Sequence, residues 1–259
     1  MTKVRETFAD IIIRSGINIP REYGRLYYLF FGGNESLRYV ADMFFDECSF
    51  RDTYLSLRDF EEENGFLFPA SITNDQLDIL LLFCEYTVNI TAHIMPEVFR
   101  TRIDDYHGRV LLVMKKLCYN EIQNEAGIII YVPDSIPAQE VAAIVNPRLS
   151  YRTLQYNHYS MKGNLSDKLS TLKMMADDIE PQRAKLKSKN SSLESSLFQM
   201  FNKFVRHNNA ENPVIATMRP AEIESYYDDI YQMWLLAKLI LDNEDRNNRV
   251  RELLGRINA

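Results

Sequence analysis

Leu77, Leu80, Leu81 and Cys84 fall at i, i+3, i+4 and i+7, and Val88 continues the stripe. This period of 3.6 recurs along most of the chain and predicts helix after helix. Thr73 and Gln76 stand in capping-box relation ahead of the stripe, and Pro96 bends or ends its helix. Upstream, the pattern predicts helices over Val4 to Ile13 and Arg21 to Phe31, then two within Glu35 to Glu63 broken near Ser49, with Gly32-Gly33 as punctuation. Downstream of Pro96, Val98 to Tyr119 resumes the helical pattern, with Gly108 as its weak point. One stretch differs. Gly127-Ile-Ile-Ile-Tyr-Val-Pro133 is a β-branched and aromatic run bounded by Gly and Pro, which reads as a strand. A strand needs a partner, and the expected one lies near Ser150 to Leu154, across a helix over Ala138 to Val145.

Past Gly163 the pattern predicts a bundle of three main helices. The first covers Ser166 to Leu186, with Leu169, Leu172, Met175 and Ile179 as its stripe. The second starts at the capping-box pattern Ser191-Ser-Leu-Glu194 and carries Leu193, Leu197, Met200, Phe201 and Phe204. The third opens with Pro220 in its first turn and carries Ile223, Tyr226, Ile230, Met233, Trp234, Ala237 and Leu241. Asn208, Asn209 and Asn212-Pro213 form the loop between the last two. The expected fold is mainly α: a helical N-terminal domain over 1–125, a short strand/helix connector holding a β-hairpin over 126–162, and a helical bundle over 163–259.

Composition narrows the class without naming a function. At 259 residues, 46% hydrophobic and 25% charged, the chain can bury a sizeable core, which excludes disordered and collagen-like classes. Cys48, Cys84 and Cys118 cannot all pair, and their spacing matches no common metal site, so a reducing, cytoplasmic setting is expected. The most hydrophobic window, Leu77 to Ile94, contains Asp78, Glu85, Asn89 and His93, and no membrane span is expected. The net charge of −6 hides an asymmetry: residues 1–147 carry 13 Lys/Arg against 22 Asp/Glu, whereas residues 148–211 carry 11 against 6. An anionic partner such as RNA is expected at that middle block.

Common catalytic signatures are absent, so any chemistry comes from a sparser arrangement. The best candidate is Phe201-Asn-Lys-Phe-Val-Arg-His-Asn-Asn209, in which Asn202 and Arg206 share the polar face of a helix and His207 sits near the buried stripe. A permanent cation, a titratable ring and carboxamides within two turns could hold a phosphodiester and move a proton without a metal. The same residues also suit the basic last turn and polar cap of an ordinary helix.

Leu197-Phe-Gln-Met-Phe-Asn-Lys-Phe-Val-Arg-His-Asn-Asn209, followed by Tyr226-Tyr-Asp-Asp-Ile-Tyr-Gln-Met-Trp-Leu-Leu236, resembles the C-terminal helical segment of bacterial abortive-infection proteins with HEPN-like domains. Tyr156-Asn-His-Tyr-Ser-Met-Lys-Gly-Asn164 and Ile179-Glu-Pro-Gln-Arg183 are similar to sequence that accompanies that segment, so the resemblance covers roughly 150–245. It implies a HEPN-like bundle over 163–259, a homodimer, and a cytoplasmic phage-defence role as a toxin-type protein acting on RNA, including metal-independent ribonuclease chemistry. Arg206 and His207 would then be catalytic, and Asn202, Lys203 and Asn208 would bind substrate. The 2′-hydroxyl would be the nucleophile, with no metal and no cofactor. The family signature places a second polar position and a His beyond the Arg; Arg206-His207 matches its start, but Glu211 follows four residues later and no His does. That departure favours the alternative of a non-catalytic interaction or sensing module of a defence system, with a partner protein encoded nearby as a further reading.

Other residues are expected to be structural. His93, on an apolar helix, reads as a buried, hydrogen-bonded histidine; Glu61-Glu-Glu63 reads as a solvated helix end; Tyr27 to Phe31 reads as core rather than a base-stacking platform. Arg102 to His107 and Arg152 to His158 repeat the signature spacing by coincidence.

Overall fold

A computed structural model describes residues 17–206 and 213–257, and its fold is mainly α with one two-stranded antiparallel sheet. The chain divides into two compact units, Met1–Tyr131 and Val132–Ala259. The segment read as a connector over 126–162 is therefore split. Its helices belong to the second unit, where Ala138, Val141, Leu149 and Tyr156 join the core.

The first unit contains α1 (Ile19–Phe31), α2 (Leu37–Met43), α3 (Leu57–Asn64), α4 (Leu77–Ile94) and α5 (Arg100–Lys116), then β1 (Tyr119–Gln123). Helix boundaries follow local chemistry. Asn18, Ser36 and Ser56 cap α1, α2 and α3 through their side-chain oxygens, and α1 stops at Gly32, whose added Cβ would meet the Tyr28 carbonyl at 2.4 Å. The Gln76 side chain reaches back to accept from the Thr73 N–H at 2.9 Å, and α4 runs from there to Ile94, two residues before Pro96. Among the described residues, α4 is the one helix long and apolar enough to cross a membrane. It is the core helix of this unit, with Leu80, Leu81, Phe83 and Cys84 fully buried.

The polar residues of α4 explain the sheet. β2 (Ile129–Pro133) pairs with β1, not with residues near Ser150, which lie in a helix capped by Asn146 and opened by Pro147. The expected helix to Tyr119 ends instead at Lys116, and Cys118 turns the chain into β1 at φ 58°. A lone two-stranded sheet is marginal because its outer edges are unpaired. Asn89 occupies part of that edge: it donates to the Ile129 carbonyl and accepts from the Ile129 N–H, both at 2.8 Å, while Glu85 one turn earlier accepts from the Tyr131 N–H at 2.8 Å. Two side chains of a helix thus act as a third strand.

One buried ion pair ties α2 to α3. Arg38 grips Glu61 with two bonds of 2.8 Å, and the Tyr86 hydroxyl donates to the same carboxylate. Glu61, expected in solvent, is buried, because its apolar neighbours Leu57 and Phe60 turn that face of α3 inward.

The second unit contains α6 (Ile136–Ala142), α7 (Pro147–Gln155), α8 (Leu165–Ile179), α9 (Arg183–Lys189), α10 (Ser191–Met200), α11 (Pro213–Ala216) and α12 (Pro220–Ile257). The helix expected over Ser166 to Leu186 is broken at Pro181, which cannot donate its nitrogen and sits in a 3-10 turn between α8 and α9. Asn190, not Ser191, caps α10, accepting from the Leu193 N–H at 2.9 Å. On α12 the buried face carries Tyr227, Ile230, Tyr231, Trp234, Leu235, Ala237 and Leu241, leaving Tyr226 partly exposed. Tyr231 stacks on Tyr156 with ring centroids 4.1 Å apart and donates to the Thr153 carbonyl at 2.8 Å.

Replacing Asn89 with Ala leaves the Ile129 N–H and carbonyl without their partner. The expected cost is roughly 1–3 kcal/mol of stability, read by denaturant unfolding. A midpoint equal to that of the wild type would show that the edge of β2 needs no cover.

Candidate functional site

Beyond Met200 the backbone widens into a π-helical segment, Phe201–Arg206. Such segments are rare and common at functional sites. Phe201 and Val205 point into the core, so Asn202 and Arg206 lie outside it, as the helical arithmetic predicts, and Lys203 beside them is exposed. His207 and Asn208, the other residues of the expected site, and Asn209 beyond them lie outside the described residues.

Arg206 has both ends of its fork engaged. Nη1 donates to Glu180 at 2.7 Å and Nη2 to Asp177 at 3.0 Å, and the side chain is only 27% exposed. Partial burial works against its charge, but the bonds to Glu180 and Asp177 outweigh this and push its pKa above the ordinary arginine value. The guanidinium therefore pins the π-helical segment to the end of α8. A phosphate approaching it would have to displace two carboxylates.

The positive balance of residues 148–211 is largely spent inside this unit. Lys168 sits 2.9 Å from Glu224 and 2.7 Å from Asp228, Lys185 pairs with Asp245 at 2.5 Å, and Lys189 pairs with Glu244 at 2.8 Å. All four acids lie on α12. Arg183 bonds Glu194 at 2.6 Å and lies 4.6 Å over the Phe198 ring. What reads as a basic block in sequence is, in space, one side of an ion-paired seam.

The other histidines separate. His93 is exposed rather than buried, since it falls on the solvent side of the last turn of α4. His158 is buried and bonds Ser160 at 2.7 Å within its own turn. His107 on α5 meets Glu121 on β1 at 2.5 Å, and the Tyr131 hydroxyl on β2 donates to the same carboxylate at 3.1 Å. Burial pushes the Glu121 carboxyl up, but the bond and charge of His107, with the Tyr131 hydroxyl, outweigh it and hold the pKa below 4.5. This trio fastens the hairpin to α5. Among the described residues, no group of three or more His, Cys, Asp or Glu side chains could hold a metal ion.

A different surface was missed by sequence reasoning. In the first unit, α1 and α5 flank a groove of about 670 Å³. From α1 come Arg21, Gly24, Arg25 and Tyr28; from α5 come Arg109, Leu112, Val113 and Lys116. Each set repeats i, i+3, i+4, i+7, so each is one stripe of a helix. Tyr28 and Leu112 are 72% and 63% exposed, large apolar surfaces for a face that no described element covers. Arg25 meets Glu22 at 3.3 Å, but among the described residues no carboxylate pairs with Arg21, Arg109 or Lys116. The signal that could have found this groove was the shared spacing of two cationic stripes. It was hidden because they lie far apart in the chain.

Glu121 supplies a pH test. A carboxyl whose pKa is lowered by folding stabilises the protein fully above the ordinary range, and that contribution disappears as pH falls through the folded value. The wild type should therefore exceed Glu121→Gln in melting temperature at pH 7, and the gap should close as pH is lowered through and below the ordinary glutamate range. A gap that is constant across that range would mean the carboxylate charge contributes nothing.

Compared with protein-family models, with curated proteins and with solved structures, the chain matches none.

Proposed function

We propose that this chain is a non-catalytic helical interaction module, and that the defence setting implied by its resemblance to abortive-infection proteins over 150–245 is where it acts. The observation that carries this reading is the state of Arg206. A residue that binds or polarises a scissile phosphate must present its guanidinium to substrate, whereas this one is held by Glu180 and Asp177 of its own chain. The absence of a His after Arg206 at the family spacing agrees with it.

The far end of α12 supports the same reading. Val250, Leu253, Leu254 and Ile257 are all about half exposed or more and fall at i, i+3, i+4 and i+7. A helix that keeps an apolar stripe in water is built to meet another surface.

Incubation of the purified protein with total RNA in excess chelator tests the reading. No cleavage is expected from the wild type, and Arg206→Ala should cost only about 1 kcal/mol of stability, as for other half-exposed ion pairs. Metal-independent cleavage that is lost in Arg206→Ala, with the variant still folded, would overturn it in favour of a ribonuclease.

A further inference from the structure

The groove between α1 and α5 belongs to no part of the Arg206 cluster. We infer that it receives an acidic amphipathic helix of a partner protein. This deepens the interaction-module reading, and rests on it, by giving the module a surface and its partner a chemistry.

Position is the first argument. α1 and α5 turn Tyr23, Leu26, Phe30, Tyr106 and Val110 into the core of the unit, yet keep Tyr28, Leu29 and Leu112 on the outward side. Two neighbouring helices leave a groove that a third helix can fill, with its own apolar seam laid on theirs.

The second argument is charge. Residues 1–147 carry an excess of acid, 22 Asp/Glu against 13 Lys/Arg, yet four of the five charged residues lining this groove are cations. Arg21 sits in the first turn of α1, where the helix dipole disfavours a positive charge. Neither its own helix nor any described carboxylate compensates it. Along α5, Arg102, Arg109 and Lys116 are spaced by seven residues, and a smaller hollow lined by Arg102, Asp105 and Arg109 continues the groove, with Arg102 donating to the Glu35 carbonyl at 2.6 Å. That stripe spans about 21 Å at the helical rise, and its period matches carboxylates repeated every heptad on a facing helix.

The third argument is Gly24. It lies inside α1, where glycine costs roughly 1 kcal/mol relative to alanine. A Cβ added there would meet nothing within 4 Å, so the fold of this unit does not require the glycine. It leaves a notch in the groove lining that lets a second backbone approach closely.

These features also separate the occupants. A second copy of the same face would set cation against cation. Single-stranded RNA would satisfy the charges, but stacking platforms are built from exposed aromatic rings, and the exposed apolar lining of this groove is Leu29 and Leu112 with Tyr28 as its one ring.

The test uses the full chain and a synthetic helical probe of about three heptads, with Leu at the seam positions and Glu at the flanking ones. Controls are the same peptide with Lys for Glu, a scrambled peptide of equal composition, and a single-stranded RNA oligonucleotide. The Glu peptide is expected to bind, the scrambled one not, and added salt to weaken binding. Arg21→Glu with Arg109→Glu should weaken the Glu peptide by about tenfold or more without lowering the melting temperature, and should create binding to the Lys peptide. Gly24→Leu should weaken the peptide while leaving the chain at least as stable. Equal binding of both peptides, no response to the charge swap, or tighter binding of the RNA oligonucleotide at the same residues would overturn the assignment. Loss of this assignment without RNA cleavage removes only the groove's role. Metal-independent cleavage lost in Arg206→Ala removes the module reading, whatever the peptide does.

Discussion

A charge withdrawn from water must find its opposite close by, and this requirement decides which basic side chains of the protein remain available to anything outside it. In the first unit Arg38 is committed to Glu61, and in the second Lys168, Lys238 and Arg183 are committed to Asp228, Asp178 and Glu194. Each pair joins two different helices, so the pairs set register between helices as well as neutralising charge. Arg206 belongs to the same class: its two carboxylates make it a fastener of the π-helical segment. Arg21, Arg109 and Lys116, with which no described carboxylate pairs, lie on one groove of the other unit, beside apolar side chains that no described element covers. Commitment within the fold and availability for a partner are two sides of one electrostatic account.

Polar groups buried on apolar helices follow the same rule for hydrogen bonds. Glu85 and Asn89, on the otherwise apolar α4, supply the missing edge of β2. Thr87 and Thr91 return their hydroxyls to carbonyls three and four residues back, and the Tyr106 hydroxyl donates to Thr87 at 2.9 Å. The first unit can thus hold a short hairpin against a helical core with no third strand.

Local signals in the sequence were enough for the helices, for the stop at Gly32 and for β2, because capping, periodicity and glycine chemistry act over a few residues. Contacts between distant segments were not legible. β1, Tyr119-Asn-Glu-Ile-Gln123, lacks the alternation of a strand and exists because β2 and α5 hold it, so the partner of β2 was sought in the wrong place. Glu61 reads as solvated until Arg38, 23 residues earlier, is brought beside it. For the candidate site, the outward placement of Asn202 and Arg206 was legible from spacing, but Asp177 and Glu180, 29 and 26 residues upstream, were not. The aromatic run Tyr27 to Phe31 reads as core, and Phe30 is. Tyr28 instead turns outward, onto the groove that α5 lines with Arg109 and Lys116.

Arginines committed inside the fold differ in kind from those at the groove. Treatment of the folded protein with a dicarbonyl reagent that modifies guanidinium groups, with each site quantified by mass spectrometry, tests this difference most directly. Arg21 and Arg109 are expected to react fast, Arg38 and Arg206 slowly, and the difference to vanish once the chain is unfolded. Arg206 reacting as fast as Arg21 in the folded protein would contradict it, since a guanidinium held by two carboxylates cannot be that accessible.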